Sequence, residues 1–325
     1  MPTKISPSAA IDRRSTDSRA SWRAMGSVVE VIVTGIDHVA SEALLFAKDR
    51  IEEIELLWSR FLPNSEISRL NRSEGRPVGV SPETRRLIET MQRGVLATRG
   101  AFDPTLIVPL VQLGYRDSLD GSGATTHLST HLDHRGDVRA VQFIDGSASD
   151  FARLPLGTAL DPGGIGKGMA ADIVAEEIVT NFGRGALVSI GGDIAVDGPG
   201  PEGRGWRVTI MDPTRTAPLG EIRLARGGVA TSSSQLRFFR NKQTSVARHH
   251  IIDPSTLDST ANGVRGVSVI AGTAAWAEIL TKAAMVRGRP EVEHFDTLSI
   301  PTMIVDHHGF HRNSAWSDFD EARWN

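Results

Sequence analysis

The stretch from Leu160 to Asp172, LDPGGIGKGMAAD, constrains this chain more than any other. Glycine at positions 163, 164, 166 and 168 strips side chains from one face of the backbone and admits left-handed conformations. Lys167 stands among them, with a carboxylate at either end, Asp161 and Asp172. An apolar run leads in, and Ile173, Val174, Ile178 and Phe182 continue at helical spacing. Such a strand-to-helix turn lets amide N–H groups approach an anionic ligand such as a phosphate. It matches neither common phosphate signature. A P-loop lysine is followed by a hydroxyl residue that binds magnesium, whereas Gly168 and Met169 follow here. The dinucleotide fingerprint follows the first strand of a βαβ unit, whereas this loop lies mid-chain. Taken alone, the stretch reads as readily as a plain turn.

The flanking segments predict a mixture of helices and strands. Val28 to Val33 is a β-branched run and a strand. Asp37 can cap a helix whose inner stripe is Leu44, Ala47, Ile51, Ile54 and Trp58, and this helix delivers Phe61 and SEISRLN, Ser65 to Asn71, into a loop. Ser81-Pro82 reads as N-cap and first residue of a second helix, with Leu87, Met91 and Val95 inward. After the glycine stretch come strands at Ala186 to Ile190, Trp206 to Ile210, Glu221 to Leu224, Val229 to Thr231 and Val267 to Ala271. A helix from about Thr273 to Arg287 and an edge strand pair from Ile300 onward complete the chain. Without a regular βαβ alternation, the class is α+β. His127, His131 and His134 could face one way on a helix as a metal site, but the surrounding Gly, Ser, Thr and Asp favour a solvated loop.

Residues 1 to 21, rich in Ser, Arg and Asp, read as a disordered leader, with one folded domain over 22–325. A net charge of -3 and a pI near 6.4 argue against a nucleic-acid or membrane-surface binder. Zero cysteines exclude disulfides, thiolate metal sites and cysteine nucleophiles. No signal-peptide h-region and no apolar stretch of membrane-spanning length is visible, so the expectation is a soluble, cytoplasmic protein without stable membrane insertion.

The order of the polar segments resembles the FAD:protein FMN transferases, the ApbE-like flavin transferase family. The matching blocks are Met25-Gly26-Ser27, Ser59-Arg60-Phe61 with SEISRLN, GAFDPT, DPGGIGKG, IGGD at Ile190 to Asp193, TSS at Thr231 to Ser233, HIIDPST at His250 to Thr256, and AEILTK at Ala277 to Lys282. The resemblance implies an ApbE-like, T-fold-related fold of mixed sheets with packed helices. It also implies transfer of FMN from FAD to a threonine or serine hydroxyl of an acceptor flavoprotein, with AMP leaving. An FAD-binding protein without transfer, and a pyrophosphatase giving FMN and AMP, are the alternative readings.

By the same resemblance, Met25, Phe61, Ala101, Phe102, Asp103, Asp161 and Ile252 contact FAD, Lys167 meets its pyrophosphate and His250 is the base. His249, one residue before, would point the opposite way along a strand. The family holds magnesium with a backbone carbonyl at the position of Gly164 and with the Asp and Thr of its last block. Those two positions are Glu278 and Lys282 here. Glutamate can ligate magnesium and lysine cannot. Either Thr281, near the same helical face, supplies the missing oxygen, or the Lys282 ammonium takes the place of the cation, paired with Glu278. Ser233 and Leu257 stand where the family has glycines.

Overall fold

Alternating β-branched residues start the fold: Val29, Val31 and Val33 point into the core from β2 (Ser27–Thr34), which pairs with β1 (Asp17–Ala24) in a hairpin. The computed structural model describes residues 17–118, 123–146, 150–212, 217–235, 238–240 and 247–320. Six further strands extend the sheet: β3 (Ala186–Ile190), β4 (Asp193–Asp197), β5 (Gly227–Ser233), β6 (Gly266–Ala271), β7 (Thr302–Asp306) and β8 (Gly309–Arg312). Their order across the eight-stranded sheet is their order in the chain, and every neighbouring pair is antiparallel.

The sheet separates two layers. Ala186, Val188 and Ile190 of β3 face helices α1 (His38–Trp58) and α5 (Gly166–Phe182), whereas Leu187 packs with Trp206, Val208, Ile222 and Leu224 on the other side. Those four belong to an outer hairpin, Trp206–Met211 against Pro218–Leu224. With α2 (Glu66–Asn71), α3 (Pro82–Ala97), α4 (Ile107–Leu113), α6 (Ala274–Arg287) and α7 (Arg289–Thr297), the chain is α+β, as its sequence predicts. Asp37, Ser81 and Thr273 cap α1, α3 and α6 with their side-chain oxygens. No helix among the described residues is long and apolar enough to cross a membrane.

Two expectations change. The strand β1 begins at Asp17, so the ordered domain starts before Trp22; residues 1–16 of the expected leader lie outside the described residues. SEISRLN is not a loop but α2, because Ser65 caps it by accepting from the Ser68 amide at 3.0 Å while Ile67 and Leu70 are buried. His127, His131 and His134 lie on irregular chain, and no group of three metal-binding side chains forms among the described residues.

The glycine stretch meets α6 at a tight crossing. A Cβ on Gly168 would lie 2.5 Å from the Ala274 carbonyl oxygen, so glycine is needed for close approach of two backbones. Asp172, one turn further along α5, accepts from the amides of Ala274 at 2.7 Å and Ala275 at 2.8 Å, although burial pushes its carboxyl up to about 6. Together they fix where α6 begins.

Candidate active site

Segments distant in sequence converge on one cleft of about 860 Å³, a size suited to a small-molecule ligand. Met25, Phe61, Ala101, Phe102, Asp103 and Asp161 all line it. So do Gly164, Lys167, His250, Ile252 and Lys282; Glu278 and Thr281 lie just behind its wall.

Met25 and Gly26 form the two-residue turn between β1 and β2, with φ of 51° and 64°. Hairpin turns with two positive φ values favour Asn and Gly, so methionine is an unfavourable choice for the backbone. Its side chain reaches the cleft. In the same cleft, the Arg60 guanidinium lies 4.4 Å from the centroid of the Phe61 ring and 4.7 Å from that of Tyr115. It also donates to the Thr126 hydroxyl at 2.9 Å and the Tyr115 carbonyl at 3.2 Å. Tyr115 in turn stacks on Phe239. The result is a rigid aromatic wall.

The glycine loop forms the floor. Asn71 of α2 grips its entrance through both backbone groups of Leu160, at 2.8 and 2.7 Å. Asp161 turns the chain by accepting from the Gly163 amide at 3.0 Å. A Cβ on Gly164 would sit 3.1 Å from the Phe102 ring and 3.6 Å from Cγ of Lys282. None of the four glycines adopts the positive φ that the residue admits; here they serve by lacking a side chain. Left-handed backbone is instead used at Gly191 and Gly192, whose tight turn starts β4 with the carboxylate of Asp193 buried under the loop. Leu257 adopts left-handed backbone, φ 58°, a conformation that glycine takes more readily, and Ser233 lies within β5.

The charges are arranged tightly. Lys167 donates to Asp193 and, at 2.6 Å, to Glu278 Oε1; the Gly168 amide donates to Glu278 Oε2 at 2.9 Å. The Lys282 ammonium lies 3.7 Å from Glu278 Oε1 and donates to the Ser232 hydroxyl at 2.7 Å. Burial acts to raise both carboxyls, and the neighbouring charges decide where each ends. At Asp193, burial and the neighbouring Glu278 charge carry it to about 6 despite Lys167. At Glu278, Lys167 and Lys282 overcome burial and hold it below the ordinary range. Lys167, expected to face a pyrophosphate, thus directs its ammonium at two carboxylates and holds Glu278 in place.

A divalent cation does not fit this donor set. Both oxygens of Glu278 are engaged and two ammonium groups flank it. Thr281 is no substitute ligand: its hydroxyl, fully buried, donates to the Glu278 carbonyl at 2.7 Å and contacts Ser232 at 2.7 Å. The helix would have to rotate to present it, and the cap and crossing at Asp172 and Gly168 forbid this.

Asp103 also departs from a simple ligand role. Its carboxylate accepts from the Thr105 amide and hydroxyl and from Arg135 at 2.6 Å, which shapes the GAFDPT turn. The strand ends at His249 and His250 lies in the bend that follows: His249 is turned inward, with Nε2 3.0 Å from the Thr260 carbonyl, and burial lowers its basicity. His250 faces the cleft. The roles of Asn71, Asp193, Tyr115 and Ser232 were not singled out in the sequence. Asp193 had a signal, since IGGD is one of the matching blocks; Tyr115 had none beyond being the chain's single tyrosine.

Comparison with known proteins agrees with the architecture. The chain matches the ApbE family over residues 25–299. It is 27% identical to a FAD:protein FMN transferase of Klebsiella pneumoniae, over 91% of this chain and 87% of that one. A FAD:protein FMN transferase of Salmonella typhimurium is 28% identical over 89% of this chain and 84% of its own. The crystal structure of the ApbE protein from Thermotoga maritima superposes with a TM-score of 0.80 at 26% identity, covering 94% of this chain and 99% of that one. The flavin transferase ApbE from Vibrio cholerae shares the fold, with a TM-score of 0.72 at 23% identity over 93% of this chain and 99% of its own.

Proposed function

We propose, from the premise that this chain belongs to the ApbE family, that it transfers FMN from FAD to a threonine or serine hydroxyl of an acceptor flavoprotein in the cytoplasm, releasing AMP. The observation that carries this reading is the convergence on one cleft of Met25, Phe61, Phe102, Lys282 and His250, drawn from five separate segments. In the reaction, the acceptor oxygen forms a bond to the FMN phosphorus while the bridging P–O bond to AMP breaks. His250 takes the hydroxyl proton. Lys282 offsets the charge that develops on the departing phosphate. Phe61, the Tyr115 wall and the Met25 thioether hold the flat parts of FAD. Lys167 acts through Glu278 and is a positioning residue, and no step passes through a metal.

The test is incubation of the purified protein with FAD and a threonine-bearing acceptor. A covalent, flavin-fluorescent acceptor with AMP released in equal amount is the expected result, and Thr→Val at the target abolishes it. Free FMN and AMP with an unlabelled acceptor would make the protein a pyrophosphatase; intact FAD retained by the protein would make it a binder.

The strained turn at Met25 gives a sharper expectation. Met25→Asn should leave stability unchanged or raise it by up to ~1 kcal/mol, because asparagine tolerates left-handed backbone. Loss of the thioether contact should weaken FAD binding by about tenfold. Thermal melts and quenching of flavin fluorescence report the two separately. Parallel losses in both would mean that Met25 is a packing residue.

A further inference from the structure

We propose that the Lys282 ammonium is this protein's built-in replacement for a divalent cation, so that FAD is bound and its pyrophosphate neutralised without metal. This rests on the flavin-transfer reading above. The chain's own geometry carries it.

The carboxylate of Glu278 does not need Lys282. Its Oε1 is already met by Lys167 at 2.6 Å and its Oε2 by the Gly168 amide at 2.9 Å, whereas Lys282 stands 3.7 Å away. What positions Lys282 is Ser232, which accepts from its ammonium at 2.7 Å and is itself held by Thr281 at 2.7 Å. Thr281 is held by the Glu278 carbonyl. A buried relay of two hydroxyls thus aims one cation at the cleft wall beside Gly164, where the loop backbone is bare. A surface ion pair would show neither the relay nor the burial: the Lys282 side chain is 14% exposed and that of Glu278 0%.

The same arrangement excludes a metal. A divalent ion at Glu278 would have to displace the Lys167 ammonium and the Gly168 amide from the carboxylate and sit beside the Lys282 ammonium, and the nearest hydroxyls point elsewhere. Lysine brings one charge where magnesium brings two, but this charge is covalently attached and always present.

The test compares FAD affinity, by flavin fluorescence, in EDTA and in millimolar Mg²⁺, beside titration of the ligand-free protein with Mn²⁺ followed by the spin resonance of the free ion. Native protein should bind FAD equally, within about twofold, under both conditions and should leave the Mn²⁺ signal unchanged. Lys282→Thr should bind FAD about 10- to 100-fold more weakly in EDTA. The inference is overturned if native protein takes up Mn²⁺, if its FAD affinity rises tenfold or more with Mg²⁺, or if a natively melting Lys282→Thr protein keeps full affinity in EDTA. Should that variant melt early, the native-protein measurements decide alone. Should FAD fail to bind in either condition, the flavin-transfer reading falls, and the Mn²⁺ titration still decides whether the lysine keeps metal out.

Discussion

Gly168→Ala is expected to destabilise the protein by about 3 kcal/mol and to abolish flavin transfer even where the variant remains folded. The added methyl would lie 2.5 Å from the carbonyl oxygen of Ala274, 2.6 Å from its carbonyl carbon and 2.8 Å from the Ala275 nitrogen. All three are backbone atoms at the start of α6, so no side-chain rotation relieves the clash. The helix must move away from α5, yet Asp172 ties the same two residues to α5 by two hydrogen bonds. Any displacement therefore breaks that cap or shifts the crossing. Either way Glu278 moves away from the Gly168 amide and from Lys167, and Lys282 moves with it. Urea unfolding gives the stability and acceptor labelling gives the activity. A variant with native stability and labelling would mean that the crossing is loose, and that Glu278 and Lys282 are not held by it.

The sequence disclosed much of the fold because most of its elements are locally determined. The inner stripe of α1, the Asp37 and Ser81 caps and the β-branched run of β2 each follow from their own residues. The α2 segment escaped because a six-residue helix shows under two turns of periodicity, and its role is read only in three dimensions: Asn71 reaches Leu160 and Glu66 accepts from Ser81. The start of β1 escaped for a different reason. Its residues are polar and half exposed, and they become a strand only because β2 offers a partner.

The lining of the cleft was largely legible in the sequence, and the wiring behind it was not. The motif blocks identified the cleft-lining residues, but nothing in the order of residues says that Lys167 would turn to Asp193 and Glu278. That outcome depends on burial: two carboxylates removed from water draw the nearest ammonium, and Lys167 is nearer than Lys282. Likewise Thr281 and Lys282 were open alternatives for the cation's place. Helix α6 presents Thr281 to the sheet strand β5 and Lys282 to the cleft, and its rotation is fixed at its first turn.

Replacing His250 by glutamine is expected to lower the rate of FMN transfer by about 10²- to 10⁴-fold while FAD affinity changes less than about threefold. Glutamine keeps a polar group of similar reach but cannot accept the proton released when the acceptor hydroxyl becomes an ester. The comparison that makes this informative is His249→Gln. His249 is buried, and Nε2 meets the Thr260 carbonyl at 3.0 Å, so its loss should cost about 1 kcal/mol of stability and leave the transfer rate within a few-fold. Two adjacent histidines, one facing the cleft and one facing the interior, then separate chemistry from support. If His249→Gln slows transfer as much as His250→Gln, the segment matters for its conformation and His250 is not the base. If His250→Gln instead abolishes FAD binding with the fold intact, the imidazole is a ligand contact, and the proton must leave by another group lining the same cleft.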